Sequence, residues 1–137
     1  MSEISAIEPD IIAILTADKV IREDNGKFGI IGIFSSFTFP GFPAVAPPWF
    51  IFVAVSNIRG EHEFSFNLVE KSSTVVVLSV GGKMEIKDPA DELPIVIPVS
   101  NVTFPKEGIY TLFFSIDGRE YAHRKLTTKL VTRQIGG

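Results

Sequence analysis

The segment from Asn101 to Leu130 constrains the fold of this 137-residue chain more than any other part of the sequence. Residues 109–116 alternate in the period of two that is typical of a strand with one buried face. Asp117-Gly118 follows, a dipeptide suited to a type I′ turn because both central residues of that turn need a positive φ. Apolar and charged residues alternate again beyond the turn. The segment therefore predicts an antiparallel β-hairpin.

Similar strand and turn signals recur about every ten residues along the chain. Asn25-Gly26 predicts a second two-residue hairpin, and Gly81-Gly82 predicts a turn after a β-branched run. Residues 49–55 are apolar on both faces, which favours a central strand, whereas Pro98 favours an edge position for residues 95–99. We predict an all-β fold: one domain over residues 1–137, an antiparallel immunoglobulin-like sandwich of about seven to nine strands without substantial helix.

Composition narrows the functional classes. Twelve phenylalanines predict a phenylalanine-rich core, and a formal charge of −3 with scattered Lys and Arg argues against nucleic acid. The absence of cysteine excludes a Cys-ligated metal site. No apolar run approaches the roughly 20 residues that span a bilayer, and the N-terminus lacks a signal-peptide pattern. We therefore expect a cytoplasmic protein without membrane or nucleic-acid partners.

An aromatic and proline-rich segment is the most plausible interaction surface. Four of the nine prolines lie between Phe37 and Pro48, so the segment is extended and its rings can anchor a partner protein. The alternative is that these rings close one end of the core. A further phenylalanine lies on the outward phase of its strand and suggests a subunit contact. The proposed contact residues are Phe37, Phe39, Phe42, Trp49 and Phe113.

Two polar positions suggest chemistry. His62 lies between Glu61 and Glu63, but regular strand geometry directs the imidazole away from both acids, which favours a rim histidine over a metal ligand or general base. Arg124 occupies an inward phase, where a guanidinium needs a partner. Either it extends to the rim, or it is a structural anchor paired with an acid such as Asp18 or Glu70.

The loop at residues 88–92 supplies a third polar position. Asp88 and its acidic neighbours could ligate calcium, although acids beside prolines are ordinary turn chemistry. A pocket near His62, Arg124 and Asp88 would suit a small ligand. The sequence contains no nucleophile elbow, P-loop, dinucleotide fingerprint or His-Glu-x-x-His motif, so no catalytic residue, metal or cofactor is predicted.

Two resemblances support the fold. Tyr110, two residues after Gly108 at a strand start, resembles the tyrosine corner of immunoglobulin-like domains, although Lys106 and Leu112 depart from the antibody pattern. Several segments also resemble a bacterial family of small uncharacterised β-sandwich proteins, a domain of unknown function. That resemblance implies a small cytosolic β-sandwich and carries no reaction, cofactor or partner. The segments are residues 17–22, 30–34, 40–43, 60–63 and 104–110.

These observations favour a non-enzymatic protein-interaction or structural module. It would act through a partner protein or through self-association as a homo-oligomer. The alternative is a small-ligand-binding protein or enzyme that uses the pocket near His62, Arg124 and the 88–92 loop.

Overall fold

The computed structural model of the chain describes residues 8–131, which contain eleven strands and no helix. The all-β prediction is confirmed. The number of strands exceeds the predicted seven to nine because three of the eleven have only two to four residues, too few to show a periodic pattern. The strands are β1 (Asp10–Arg22), β2 (Phe28–Ile33), β3 (Ser36–Phe39), β4 (Ala44–Val45), β5 (Trp49–Ser56), β6 (Gly60–Glu70), β7 (Val76–Ile86), β8 (Leu93–Val99), β9 (Thr103–Phe104), β10 (Gly108–Ile116) and β11 (Arg119–Leu130).

The strands form two main sheets and a short ribbon. Sheet A has the order β2-β1-β5-β8, sheet B has the order β3-β11-β10-β6-β7, and β4 pairs with β9. Sheet A is antiparallel, but β3 runs parallel to β11, so sheet B is mixed and the prediction of a purely antiparallel fold is wrong at this edge. The two strands are far apart in sequence, so no hairpin turn imposes an antiparallel direction on them.

One buried cluster receives side chains from both sheets. Alternate residues of β5, from Trp49 to Val55, and of β10, from Tyr110 to Ile116, are buried in it. This confirms the alternation predicted for residues 109–116. It also confirms the central position predicted for residues 49–55, since β5 lies between β1 and β8.

The turn predicted at Gly81-Gly82 does not exist. β7 runs without interruption through both glycines, which pair with Ser65 and Phe64 of β6. A Cβ added to Gly81 would lie 2.8 Å from the Phe64 carbonyl oxygen, and one added to Gly82 would lie 2.9 Å from the Phe64 ring. The two glycines therefore make room for a neighbouring strand rather than reverse the chain.

The two predicted hairpins differ in their turns. Asp117 and Gly118 both have positive φ, as a type I′ turn requires. The other hairpin has a three-residue loop instead of the predicted two, because the Glu23 N–H donates to the Lys27 carbonyl and the Gly26 N–H donates back to the Glu23 carbonyl. Only Gly26 has a positive φ in that loop. The Asn25 side chain stabilises the wider loop by accepting a hydrogen bond from the Lys27 N–H at 3.0 Å.

Over residues 8–131, no helical segment is long and apolar enough to cross a bilayer.

Candidate functional site

The aromatic and proline-rich segment packs into the core. Trp49 and Phe39 are buried. The Phe37 ring is partly buried and lies 5.4 Å from the Phe104 ring and 5.9 Å from the Trp49 ring, measured between centroids. The Phe42 ring stands edge-on to Phe39 at 5.7 Å. These four rings close one end of the core, so they do not form an exposed anchor surface.

Phe113 is in a different environment. It lies on the outer face of β10 between His123 of β11 and Asn67 of β6 and is partly exposed. Its ring centroid lies 6.1 Å from that of His123. The His123 ring thus covers part of Phe113, and a part of the Phe113 surface remains accessible.

His62 has a polar contact at each of its two ring nitrogens, at one end of sheet B. Its Nδ1 lies 2.6 Å from Asp117 Oδ2, and its Nε2 lies 2.8 Å from the Arg59 carbonyl oxygen. The second oxygen of Asp117 accepts a hydrogen bond from the Glu63 N–H at 2.9 Å. The imidazole therefore joins the β10–β11 turn to the start of β6.

Both ring nitrogens of His62 face acceptors, so each must carry a proton to donate. The hydrogen bond to the Asp117 carboxylate, followed by the one to the Arg59 carbonyl, raises the pKa of His62. The same imidazole bond, followed by the one from the Glu63 N–H, lowers the pKa of Asp117. When His62 is protonated, this pair is an imidazolium–carboxylate contact at the protein surface, where the His62 side chain is 23% exposed.

This geometry restricts the chemistry available at His62. A metal ligand or general base needs a ring nitrogen with a free lone pair, and here both nitrogens face a hydrogen-bond acceptor of the protein. An open cleft of about 410 Å³ lies beside the pair and is lined mainly by charged side chains of β6 and β7. Across residues 8–131, no three His, Asp or Glu side chains are grouped closely enough to hold a metal ion.

Arg124 is a structural anchor, but not to either of the predicted acids. Its Nε donates to Thr16 Oγ1 at 3.0 Å and one terminal nitrogen donates to the Phe34 carbonyl oxygen at 2.9 Å. The Thr16 hydroxyl donates to the same carbonyl. The prediction of Asp18 or Glu70 as partner is wrong, because the Glu70 carboxylate is bound elsewhere and the guanidinium spans from sheet B to neutral oxygens of β1 and the residue after β2.

Asp88 is a turn residue. Its Oδ1 accepts a hydrogen bond from the Ala90 N–H at 2.9 Å, and its carbonyl accepts one from the Asp91 N–H at 3.0 Å. No hydrogen bond or ion pair among the described residues links any two of His62, Arg124 and Asp88. Each of the three side chains forms its hydrogen bonds with other partners. Contacts between the three side chains therefore do not assemble the predicted polar pocket.

A second polar cluster, which the sequence analysis did not single out, is built on Glu70 at the end of β6. Glu70 is 2% exposed. Its carboxylate accepts hydrogen bonds from the N–H and hydroxyl of Ser72 and from the Ser73 N–H. These donors, with the Ser72 N–H first among them, hold the pKa of Glu70 well below its usual range. Lys106 Nζ lies 3.4 Å from the same carboxylate.

Lys106, whose Nζ lies near the Glu70 carboxylate, is itself held by two hydroxyl groups of sheet B. The Tyr110 hydroxyl donates to the Lys106 carbonyl at 2.7 Å, and the Thr128 hydroxyl donates to the same oxygen at 3.2 Å. One sequence signal pointed to this cluster: Glu70 continues the inward phase of Phe66 and Leu68, where an acid must find donors. The contacts indicate a structural role.

The hairpin of β1 and β2 carries an exposed apolar surface. We refer to residues 19–31 as the β1–β2 arm. Leu15 pairs with Phe52 of β5, and Arg22 pairs with Phe28 of β2. Seven residues of straight strand would separate those pairs by about 23 Å, yet the Phe28 and Phe52 rings lie 6.1 Å apart. The arm therefore bends back over the outward face of sheet A.

The two faces of the arm are both apolar. Phe28, Ile30 and Val20 are partly buried and share the phase that contacts sheet A. On the opposite face, Ile21 is 44% exposed and Ile31 is 51% exposed. Hydrophobic periodicity cannot identify such a face, because it does not distinguish an apolar face that packs against a sheet from an apolar face that is exposed to solvent.

The free edge of β2 adds to this surface. Within the described part of the chain, β2 pairs only with β1. Its sequence, Phe-Gly-Ile-Ile-Gly-Ile, contains no charge and no proline. The other sheet edges carry recognised protection: β8 has two prolines, β7 has Lys83 and Glu85, and β3 is only four residues long. β2 is thus the least protected edge.

The chain matches a family model but no curated protein. No curated protein matches the chain significantly. A family model described as a family of unknown function covers residues 12–129, from the start of β1 to the end of β11. The chain therefore belongs to this family of unknown function, DUF6941.

Proposed function

We propose that the chain is a non-enzymatic protein-interaction module whose contact surface is the solvent face and free edge of the β1–β2 arm. The observation that carries the proposal is the pair of half-exposed isoleucines, Ile21 and Ile31, beside the uncharged outer edge of β2, which has no partner strand within residues 8–131. Burying the exposed half of one isoleucine gains about 1 kcal/mol. An added strand would also satisfy the unpaired backbone groups of β2.

The polar residues support a role without catalysis. Both His62 nitrogens face acceptors, Arg124 donates to neutral oxygens of Thr16 and Phe34, and Asp88 accepts a hydrogen bond within its own turn. Within residues 8–131, no hydrogen bond or ion pair links any two of these three side chains. Phe113, partly exposed on sheet B, is proposed as a second and smaller contact.

We also propose a location and a fold class for this module. The absence of cysteine is compatible with the cytoplasm, where we place the protein. We also assign the two sheets to the immunoglobulin-like class. The bond from the Tyr110 hydroxyl back to the Lys106 carbonyl supports that assignment.

Site-specific photo-crosslinking in the native host tests the interaction surface. A photoreactive residue replaces Ile31 in one variant and Val76 in the other. Val76 is a matched control because it is 52% exposed on the edge strand β7. We expect a discrete crosslinked protein band from position 31 and none from position 76. Equal crosslinking at the two positions, or no band from position 31, would contradict the proposal.

A further inference from the structure

We propose that the partner of the β1–β2 arm is a second copy of the chain, joined by antiparallel pairing of the two β2 edges. This inference rests on the interaction function proposed above and names its partner. It would extend the four strands of sheet A into one sheet of eight across a two-fold axis.

The hydrogen bonds of the arm determine which groups of β2 face outward. The Glu23 N–H donates to the Lys27 carbonyl, which makes Glu23 and Lys27 a hydrogen-bonded pair. The N–H and C=O groups of successive residues point to opposite sides of an antiparallel strand. The backbone groups of Gly29 and Ile31 therefore also point toward β1, where these residues pair with Ile21 and Lys19. The N–H and C=O groups of Phe28 and Ile30 therefore point to the free edge.

These outward groups match a second copy. When Phe28 lies opposite Ile30 of the second copy, each residue exchanges both of its backbone hydrogen bonds, and the two-fold axis passes between the two Gly29 residues. Opposed Cα atoms at such a position approach to about 4.5 Å. Glycine suits this position because no side chain is forced against its own copy.

Charge also permits the pairing. Like charges directly opposite each other destabilise paired strands, and β2 has none. In the proposed register, Lys27 and its equivalent are separated by four residues along the strands, about 14 Å. The two Lys19 residues are three strand spacings apart across the sheet and four residues apart along the strands, which together give about 20 Å. The nearest pair, Lys27 and Lys19 of the second copy, is two strand spacings apart, about 10 Å. All three distances exceed the Debye length of about 8 Å at physiological salt.

The opposing contact on the solvent face is between Ile31 and Lys27 of the second copy. These residues form a pair whose side chains lie on the same face, so the aliphatic stem of Lys27 can cover the exposed isoleucine. The pairing thus shields the apolar surface that is left open in the single chain.

The cysteine-free sequence allows a sharp test of this register. Full-length Lys27→Cys and Ile31→Cys variants are prepared separately and mixed under mild oxidation. Cβ atoms of opposed residues lie about 4.5–5.5 Å apart, close enough for a disulfide after a small shift. We expect a disulfide-linked dimer in the mixture and very little in either variant alone, since equivalent positions are about 14 Å apart.

A mixture of Lys27→Cys with Val76→Cys is the control and should remain uncrosslinked. Equal crosslinking in the single variants and the mixtures would indicate random collision and overturn the proposal. Sedimentation equilibrium of the unmodified chain provides the second measurement. A concentration-dependent dimer that Ile31→Lys weakens at least tenfold, while Val76→Lys does not, is expected.

The outcomes separate this inference from the function on which it rests. A chain that sediments as a monomer at all concentrations, combined with an in-cell crosslink from position 31 to a different protein, overturns the second copy and retains the interaction surface. A monomer without any crosslink from position 31 overturns both.

Discussion

The two hairpins of this molecule begin from similar sequence signals and end in opposite environments. The β10–β11 hairpin lies in the middle of sheet B, with Leu112 and Phe114 fully buried and its turn fixed by His62. The β1–β2 hairpin lies at the edge of sheet A, with Ile21 and Ile31 half exposed. Local turn chemistry therefore creates a hairpin, but the neighbouring strands decide whether its apolar residues stabilise the fold or remain available for contacts.

The largest difference should appear when one buried and one exposed apolar side chain are truncated. Phe114→Ala should reduce the free energy of unfolding by about 3–5 kcal/mol, because it leaves a cavity under the central hairpin. Ile31→Ala should cost less than about 1 kcal/mol. Urea unfolding at low protein concentration measures both. If Ile31→Ala were as destabilising as Phe114→Ala, the arm would be part of the core and the contrast would fail.

The next effect concerns the link between the two regions. Arg124 of β11 binds Thr16 and the Phe34 carbonyl at the base of the arm. Arg124→Met should reduce the free energy of unfolding by about 1–2 kcal/mol, because Thr16 still satisfies the carbonyl after the guanidinium is lost.

The neighbouring exposed Lys125→Met is the control for Arg124 and should be close to neutral. Hydrogen exchange of the arm amides gives a second measurement. Faster exchange in β1 and β2 of Arg124→Met, with unchanged exchange in β10, would sharpen the comparison. Unchanged exchange in both places would show that the arm does not depend on this anchor.

The His62–Asp117 contact should make the stability of the central hairpin depend on pH. The pKa of folded His62 is raised, so its stabilising contribution is complete below the unfolded value of about 6.5 and is lost as the pH rises through the folded value. The pKa of folded Asp117 is lowered, so its contribution is present above about 3.9 and is lost as the pH falls through the folded value. The contact is strongest between these limits.

The matching variant is His62→Gln, which should cost about 1 kcal/mol near pH 5 and less near pH 9. His123→Gln is the control, since His123 is an exposed histidine on the next hairpin strand. Thermal unfolding followed from pH 4 to 9 measures the difference between each variant and the unmodified chain. A difference for His62→Gln that stays constant with pH would contradict the imidazolium assignment.

The smallest effect should come from the turn of the arm. Asn25→Ala removes one exposed hydrogen bond to the Lys27 N–H and should change the free energy of unfolding by no more than about 0.5 kcal/mol. Asp117→Ala is its counterpart in the central hairpin and should be clearly more destabilising, because it removes two side-chain contacts at a residue with positive φ. Equal effects on the unfolding midpoint would remove the contrast between the two turns.

The sequence predicts some of the residues of the candidate sites but not their partners. The polar positions His62 and Arg124 were predicted, and alternation correctly directed His62 away from Glu61 and Glu63, which are both exposed. Their partners were not predicted, because Asp117 lies 55 residues from His62 and Thr16 lies 108 residues from Arg124. Periodicity and turn signals report neighbours within a few residues, so they carry no information about such pairs.

The surface proposed for interaction differs from the one that the sequence suggests, for the same reason. The sequence leaves two alternatives for the aromatic segment, an exposed surface or a plug. Trp49 is buried, and the Phe37 ring, which comes from another strand, lies against both Trp49 and Phe104. The exposed face of the arm follows from a bend in β1. At that bend Gly32 has a positive φ and lies against Asp18, an arrangement that depends on how the two strands pack.

The sequence by itself determined the all-β class, the alternating strand of β10 and the Asp117-Gly118 turn. These features depend on the sign of φ and on the two-residue period of a strand, which adjacent residues control. Only the tertiary structure decided the parallel pairing of β3 with β11, the straight passage through Gly81-Gly82 and the two acceptors that face the His62 imidazole. Each of these depends on a partner strand that local sequence does not specify, because packing between distant segments supplies the deciding contacts.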